Sequence, residues 1–247
     1  MASEINTLPP EVSRALSFPV DAVGIVRQRK SLVKELLKQT NLVPTRVAIL
    51  GGSTTTEVKN MLELFLLGHG IQPSFYESGY NRFSEDVLFE NPDLWNFKPD
   101  IVFIHTNWRN ISQFPELMEA QADVDGRVRQ EMDRFESLWK KIHTDLGAVI
   151  IQNNFDLPHL RPLGNLEASE SFGRVNFLQR LNAEFAGYAR NHSRFLINDI
   201  YYLSAQVGLG EWYGHSYWYN FHIFYLKASP ENTLYKLTGL FRELRRC

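Results

Sequence analysis

Cysteine is almost absent from this chain: the only one among its 247 residues is Cys247, at the last position. A disulfide framework and a cysteine-based metal site are therefore excluded. Apolar runs such as 47–50 and 101–104 are far shorter than the roughly 20 residues that cross a bilayer. The opening segment, MASEINTLPP, lacks the hydrophobic region of a signal peptide. We therefore expect a cytoplasmic protein with no membrane partner.

An excess of basic residues is also lacking. Twenty-six Lys and Arg face 28 Asp and Glu, which gives a formal net charge of −2. No segment interleaves basic and aromatic side chains as a nucleic-acid groove would, so we expect no nucleic-acid partner. No pair of histidines or acids has convincing metal-ligand spacing, so the sequence predicts neither a metal nor a cofactor.

The sequence does contain short apolar runs that alternate with helical stripes, and 44% of its residues are apolar, enough for a sizeable core. Five runs predict buried strands, at 46–50, 74–77, 100–105, 148–152 and 194–198. Strands that alternate with helices indicate right-handed βαβ units. We therefore predict an α/β fold, a three-layer α/β/α sandwich around a five-stranded, mainly parallel sheet.

The domain organisation predicted from these patterns is simple. Residues 1–45 are interpreted as an N-terminal extension and packing helix, and residues 46–247 as a single compact α/β domain. Because the chain ends on a helical pattern that is still running, RELRRC, we expect it to be a piece of a longer protein.

The loop after the first strand, GGSTTT, contains the main candidate for chemistry. In an open parallel sheet, ligands bind beyond the carboxyl ends of the strands. The two glycines allow a tight turn, and Ser53 lies near a helix N-terminus, where the helix dipole stabilises an alkoxide. The alternative is that Ser53 or Thr54 is simply the N-cap. The loop lacks the third glycine of G-x-G-x-x-G and the Gly-Lys of a P-loop, which argues against a nucleotide site.

The loops after the next three strands are polar as well. Gly79 could bring a backbone N–H to a substrate oxygen, or could be a plain turn glycine. Asn107 could donate its amide to an oxyanion, or could satisfy loop backbone. The predicted pocket residues are Gly52, Thr54, His105, Asn110, Asn153 and Asn154.

A nucleophilic serine needs a base, and the chain has seven histidines. His105 and His159 lie on strand-end loops and could reach the serine. A second group of histidines lies after the fifth strand, in a segment rich in aromatic residues. Such segments more often belong to the hydrophobic core than to a cofactor site. The candidates there are His215 and His222 as base, with Asp199 and Glu211 as orienting acids.

Taken in order, these loops resemble the motif blocks of the SGNH (GDSL-like) hydrolase superfamily. Residues 51–53 resemble its first block, Gly79 its glycine block, and HTNW at 105–108 its Gly-x-Asn-Asp block. The chain is more similar to the amino-terminal SGNH-like domain of FkbH-like proteins, through VAILGGSTTTEVKNMLELFLLGHGIQPSFYESGYNRF, VIIQNNFDLPHLRPLGN and INDIYYLSAQVGLGEWYGHSYWY. The late Asp-x-x-His block has no match, since EWYGH at 211–215 carries Glu and one extra residue.

The resemblance implies a flavodoxin-like SGNH hydrolase fold with Ser53 as nucleophile and with Ser53 N–H, Gly79 N–H and Asn107 as oxyanion donors. It also implies a small acyl or glyceryl substrate, an acyl carrier protein partner, and a C-terminal haloacid-dehalogenase (HAD) domain in the natural protein. Two hypotheses follow. One is an acyl ester or thioester hydrolase or acyltransferase. The other is a non-catalytic module that docks a carrier protein or positions substrate for the HAD domain.

Overall fold

A computed structural model of the chain describes residues 10–17 and 22–213. The strands in this part are β1 (Val43–Gly51), β2 (Ile71–Glu77), β3 (Ile101–His105), β4 (Val149–Asn153) and β5 (Phe195–Asn198). The helices are α1 (Pro10–Leu16), α2 (Ala22–Leu36), α3 (Thr56–Gly68), α4 (Glu85–Leu88), α5 (Pro92–Phe97), α6 (Gln121–Lys141), α7 (Leu166–Ser169), α8 (Arg174–Asn191), α9 (Ile200–Val207) and α10 (Leu209–Trp212). A 3₁₀ turn spans Trp108–Asn110, and a π-helical turn, Ile142–Leu146, extends α6.

The five strands form one sheet in the order β2-β1-β3-β4-β5, and every neighbouring pair is parallel. The predicted five-stranded sheet is confirmed, and within the described residues it is wholly parallel. The strand order is the flavodoxin-like order of doubly wound sheets. None of the helices in the described part of the chain combines the length and apolarity that crossing a bilayer requires.

Alternate side chains of the central strands belong to two separate hydrophobic cores, one on each face of the sheet. Val47 and Ile49 pack with α1, α2 and α3, whereas Ala48 and Leu50 pack with α6 and α8. All four side chains are completely buried. Strands buried on both faces read as continuous apolar runs, which is why the sequence shows no polar alternation there. The predicted three-layer sandwich is confirmed.

The N-terminal helices belong to the same core as the sheet. Val12 of α1 and Leu36 of α2 are buried in the cluster that contains Val47. Strand β1 begins at Val43, three residues before the domain start predicted at 46, because its parallel pairing with β2 already begins at Val43 and Ile71. The segment 43–45 is thus part of the sheet.

The strand order places one crevice at the carboxyl edge of the sheet. The chain leaves β1 toward β2 on one side and later enters β3 on the other side. The loops after β1 and β3 therefore diverge above neighbouring strands, and such a topological switch point is where doubly wound sheets bind ligands. The first of these loops carries Ser53 and the second carries Asn107.

Candidate functional site

Ser53 lies at the switch point beside a buried imidazole. Its hydroxyl oxygen is 3.4 Å from Nδ1 of His105, and the two residues are 2% and 1% exposed. The neighbouring backbone is joined as well, since Gly52 N–H donates to the His105 carbonyl at 2.9 Å. The loops after β1 and β3 thus meet around the serine hydroxyl.

The His105 imidazole is held in its neutral form. Complete burial penalises the charged ring and lowers the pKa of His105 from 6.5 to about 4. The ring also packs edge-on against Phe103, with centroids 5.6 Å apart. At neutral pH His105 can hold the Ser53 hydroxyl by a hydrogen bond, but such a low pKa makes it a weak proton acceptor.

Ser53 and Thr54 are not the helix N-cap, so that sequence alternative is wrong. Helix α3 starts at Thr56, and Thr55 occupies the cap position. The Thr55 and Thr56 hydroxyls instead donate to one carboxylate oxygen of Glu77 at 2.7 and 3.2 Å. Ser53 therefore precedes the helix and does not cap it. The Glu77 carboxylate at the end of β2 binds the first turn of α3 instead.

Asn110 joins the three loops that follow β1, β2 and β3. Its amide nitrogen donates to the Gly52 carbonyl at 2.9 Å and to Asn81 Oδ1 at 3.0 Å. Its amide oxygen accepts from Asn107 N–H at 2.9 Å. A Cβ added at Gly52 would overlap the Asn110 amide, so this position requires glycine. Asn110 is thus a clasp that sets the spacing between the serine loop and the asparagine loop.

Asn107 has a buried side-chain N–H group with no hydrogen-bond acceptor among the described residues. Its side chain is completely buried, and its Oδ1 accepts from Arg109 N–H at 2.9 Å. Its amide nitrogen has no hydrogen-bond partner within the described part of the chain. A buried N–H left unpaired costs about 1–3 kcal/mol, so this amide is available to an oxygen atom from a ligand.

Gly79 lies in the exposed turn after β2. The preceding residue ties this turn to the serine loop, because the Ser78 hydroxyl accepts from Gly51 N–H at 2.8 Å. The Gly79 carbonyl accepts from Arg82 N–H, closing the turn at 3.1 Å. The turn is therefore attached to the base of the loop that carries Ser53.

The two asparagines at the end of β4, Asn153 and Asn154, are used within the fold. Asn153 is completely buried, donates to the Thr106 carbonyl at 3.1 Å and accepts from Asn198 Nδ2 at 2.7 Å. Asn154 donates to Asp199 Oδ1 at 2.7 Å and accepts from Tyr201 N–H at 3.0 Å. These amides hold the ends of β3, β4 and β5 together, so they do not form the open pocket wall that their position suggested.

The acids predicted to orient a base lie at the surface. Asp199 is exposed and caps α9, accepting from Tyr202 N–H at 3.1 Å. Glu211 is exposed within α10. His215 and His222 lie outside the described residues, and their assignment stays a prediction. His159 is exposed in the loop after β4, with its ring 5.7 Å from that of Tyr213.

Asp156 is a buried acid that sequence reasoning did not select. It is completely buried, and desolvation raises its pKa to about 6 from the ordinary 3.8, against hydrogen bonds from the Trp212 indole and the Trp108 backbone. Its position two residues after the amide run Gln152-Asn153-Asn154 at the end of β4 was the available signal. Among residues 10–17 and 22–213, no group of three or more His, Cys, Asp and Glu residues is arranged to hold a metal ion.

Comparisons with known proteins support the fold. No protein family matches the chain, and no curated protein matches it. Among solved structures, it is similar to the crystal structure of the N-terminal part of the protein BF1531 from Bacteroides fragilis, which contains a phosphatase domain and is complexed with Mg. The TM-score is 0.70 at 17% sequence identity, over 83% of this chain. The chain spans about half of that structure, 54% of its length.

Proposed function

We propose that this chain carries a serine-dependent acyl-transfer site of SGNH type, working as an ester or thioester hydrolase or as an acyltransferase. The observation that carries the proposal is the Asn107 amide, which is buried and unpartnered within the described residues beside the loop of Ser53. Donors aimed at a developing oxyanion are the largest single contribution in acyl-transfer enzymes. The Asn110 clasp keeps that donor and the serine at a fixed spacing.

The proposed reaction uses Ser53 and Asn107 together with a late histidine. Ser53 Oγ attacks the carbonyl carbon of the substrate and gives its proton to an imidazole, for which we retain His215 or His222. The carbonyl oxygen becomes an oxyanion that accepts from Asn107 and from backbone N–H groups. Collapse expels the alcohol or thiol, which takes the proton from the imidazolium, and the acyl group remains on Ser53 until water or a second acceptor removes it.

His105 has a separate part in this scheme. It is neutral at the pH of the cell because its pKa is lowered to about 4. Its Nδ1 is 3.4 Å from the serine hydroxyl, close enough to orient it without competing as the base. We therefore assign His105 to positioning of the nucleophile.

The partners in this proposal are those of FkbH-like proteins, whose amino-terminal domain this sequence resembles. The similar structure from Bacteroides fragilis contains a phosphatase domain, and this chain spans only 54% of it. We infer an acyl or glyceryl substrate, an acyl carrier protein that presents it, and a HAD-type phosphatase domain alongside this one.

Covalent labelling tests the proposal directly. A fluorophosphonate probe should label the 247-residue chain once, at Ser53. The Ser53→Ala variant should lose both labelling and turnover of a chromogenic acyl ester. Ser204 supplies a matched control, because it is also buried, at 1% exposure, and its hydroxyl donates to the Tyr201 carbonyl. Ser204→Ala should label as the wild type does. Turnover that survives Ser53→Ala would refute the assignment.

A second candidate is the non-catalytic docking module, and the burial of Ser53 at 2% exposure favours it. A nucleophile must reach its substrate, whereas a serine that only holds its loop need not. This alternative predicts no labelling of Ser53, together with saturable binding of an acyl carrier protein. Labelling that depends on Ser53 excludes it.

A further inference from the structure

Asp156 joins the loop that follows β3, which carries Asn107, to helix α10. Its Oδ1 accepts from the backbone N–H of Trp108 at 3.2 Å, and its Oδ2 accepts from the indole N–H of Trp212 at 2.8 Å. The Trp108 nitrogen belongs to the peptide bond that follows Asn107, so the first bond fixes the backbone next to the candidate oxyanion donor. Trp212 belongs to α10 and lies three residues before His215 in the sequence.

A second set of contacts joins the same two segments. The guanidinium carbon of Arg109 lies 4.6 Å from the centroid of the Trp108 ring and 5.7 Å from that of Tyr213. The Trp108 and Tyr213 rings are themselves 6.1 Å apart. The positive charge of Arg109 also acts favourably on the Asp156 carboxylate. Aromatic and cation–π packing thus surrounds the carboxylate that lies between the segments.

The chemistry of this position calls for a carboxylate. Both partners of Asp156 are N–H donors, so the residue between them must accept on both sides. An asparagine in the same place would turn its NH₂ toward one of the donors. Burying an acid is costly, several kcal/mol for an ion taken out of water, and an apolar side chain would avoid that cost. Burial of this acid is therefore better explained by what it holds in place than by a gain in stability.

We propose that Asp156 is a positioning residue, which fixes the Asn107–Trp108 backbone against α10 in one arrangement. The candidate oxyanion donor Asn107 is then held in one position relative to the loop of Ser53. This inference rests on the proposed function, since the arrangement matters for acyl transfer only if Ser53 is the nucleophile.

The test compares Asp156→Asn with the wild type in the 247-residue chain. We expect kcat for a chromogenic acyl ester, and the rate of fluorophosphonate labelling, to fall about 100-fold, because misplacement by about 1 Å has effects of that size. KM should change little. Amide hydrogen exchange should accelerate in segments 106–112 and 209–213 but stay unchanged in β1 and β2. Asp86→Asn is the matched control, because Asp86 is 1% exposed and accepts from Tyr76 at the far edge of the sheet.

A second variant guards against loss of folding. Trp212→Phe removes one donor to Asp156 and keeps an aromatic ring, so the same fall in kcat and the same faster exchange should follow. Unchanged kcat in both variants, or a lower kcat with unchanged exchange in both segments, overturns the role of Asp156 while the serine mechanism stands. A wild type that resists labelling overturns the serine mechanism instead. In that case, amide hydrogen exchange in Asp156→Asn tests the role of Asp156 by itself. Unchanged protection of segments 106–112 and 209–213 overturns this role, and faster exchange in both segments supports it.

Discussion

Replacing His105 by glutamine should change the response of the protein to acid. The imidazole is 1% exposed, and its pKa is lowered to about 4 in the folded chain, against 6.5 in the unfolded chain. Above pH 6.5 both states are neutral at this position. Below it the unfolded chain takes up a proton that the folded chain refuses, so His105 makes the wild type progressively less stable as the pH falls.

The size of the effect follows from the two pKa values. One pKa unit corresponds to about 1.4 kcal/mol, so the loss attributable to His105 is about 2 kcal/mol at pH 5 and about 3 kcal/mol at pH 4. Asp156 acts in the opposite direction. Because its pKa is raised to about 6 from 3.8, the folded chain keeps a proton that the unfolded chain has released, and stability falls as the pH rises through this range. The wild-type curve alone therefore hides both contributions.

The measurement is the difference between two urea unfolding curves. Unfolding free energies of the wild type and of His105→Gln, taken every half pH unit from 7.5 to 4.5, should converge or cross as the pH falls, since only the wild type has the buried imidazole to protonate. His143→Gln serves as a control, because that imidazole is exposed to solvent in both states. Parallel curves for the wild type and His105→Gln over the whole range would refute the assignment of a desolvated, neutral ring beside Ser53.

Three further predictions use the same measurements. Between pH 4 and pH 7, Asp156→Asn should gain about 2.4 kcal/mol of stability relative to the wild type, in addition to a constant offset from the lost hydrogen bond. A difference that does not vary with pH would contradict the raised pKa. Gly52→Ala should destabilise the protein by about 1–3 kcal/mol because the new methyl group overlaps Asn110, whereas Gly126→Ala, exposed in α6 with nothing within 4 Å of its Cβ, should stabilise it by about 0.5–1 kcal/mol. Equal urea midpoints for these two variants would contradict the clasp. Asn107→Asp keeps the acceptor and removes the donor, so kcat for an acyl ester should fall about 100- to 1,000-fold with little change in KM, and a kcat within threefold of the wild type would remove Asn107 from the oxyanion site.

Part of the site could be predicted before any coordinates. Once the strands are recognised as parallel, their carboxyl ends must lie at one edge, and the loops after β1 and β3 must flank the switch point. That rule brings the loops of Ser53 and Asn107 to the switch point, whereas the roles of nucleophile and oxyanion donor are our proposal. The rule says nothing about which polar side chains in those loops are already paired, and so it could not separate Asn107, with an amide unpartnered in the described chain, from Asn153, whose amide bridges β3 and β5.

The sequence alone determined the layers and the strands, because apolar runs and helical stripes are local periodicities that a few neighbouring residues express. Tertiary structure decided the partners of individual side chains. Asn110 reaches Gly52 across 58 positions, and Asp156 meets Trp212 across 56. Such pairs depend on which distant loops come into contact in the folded chain, and a local sequence pattern does not predict those contacts. Burial is likewise a property of the assembled layers, which is why the low pKa of His105 and the raised pKa of Asp156 appeared only when the chain was folded.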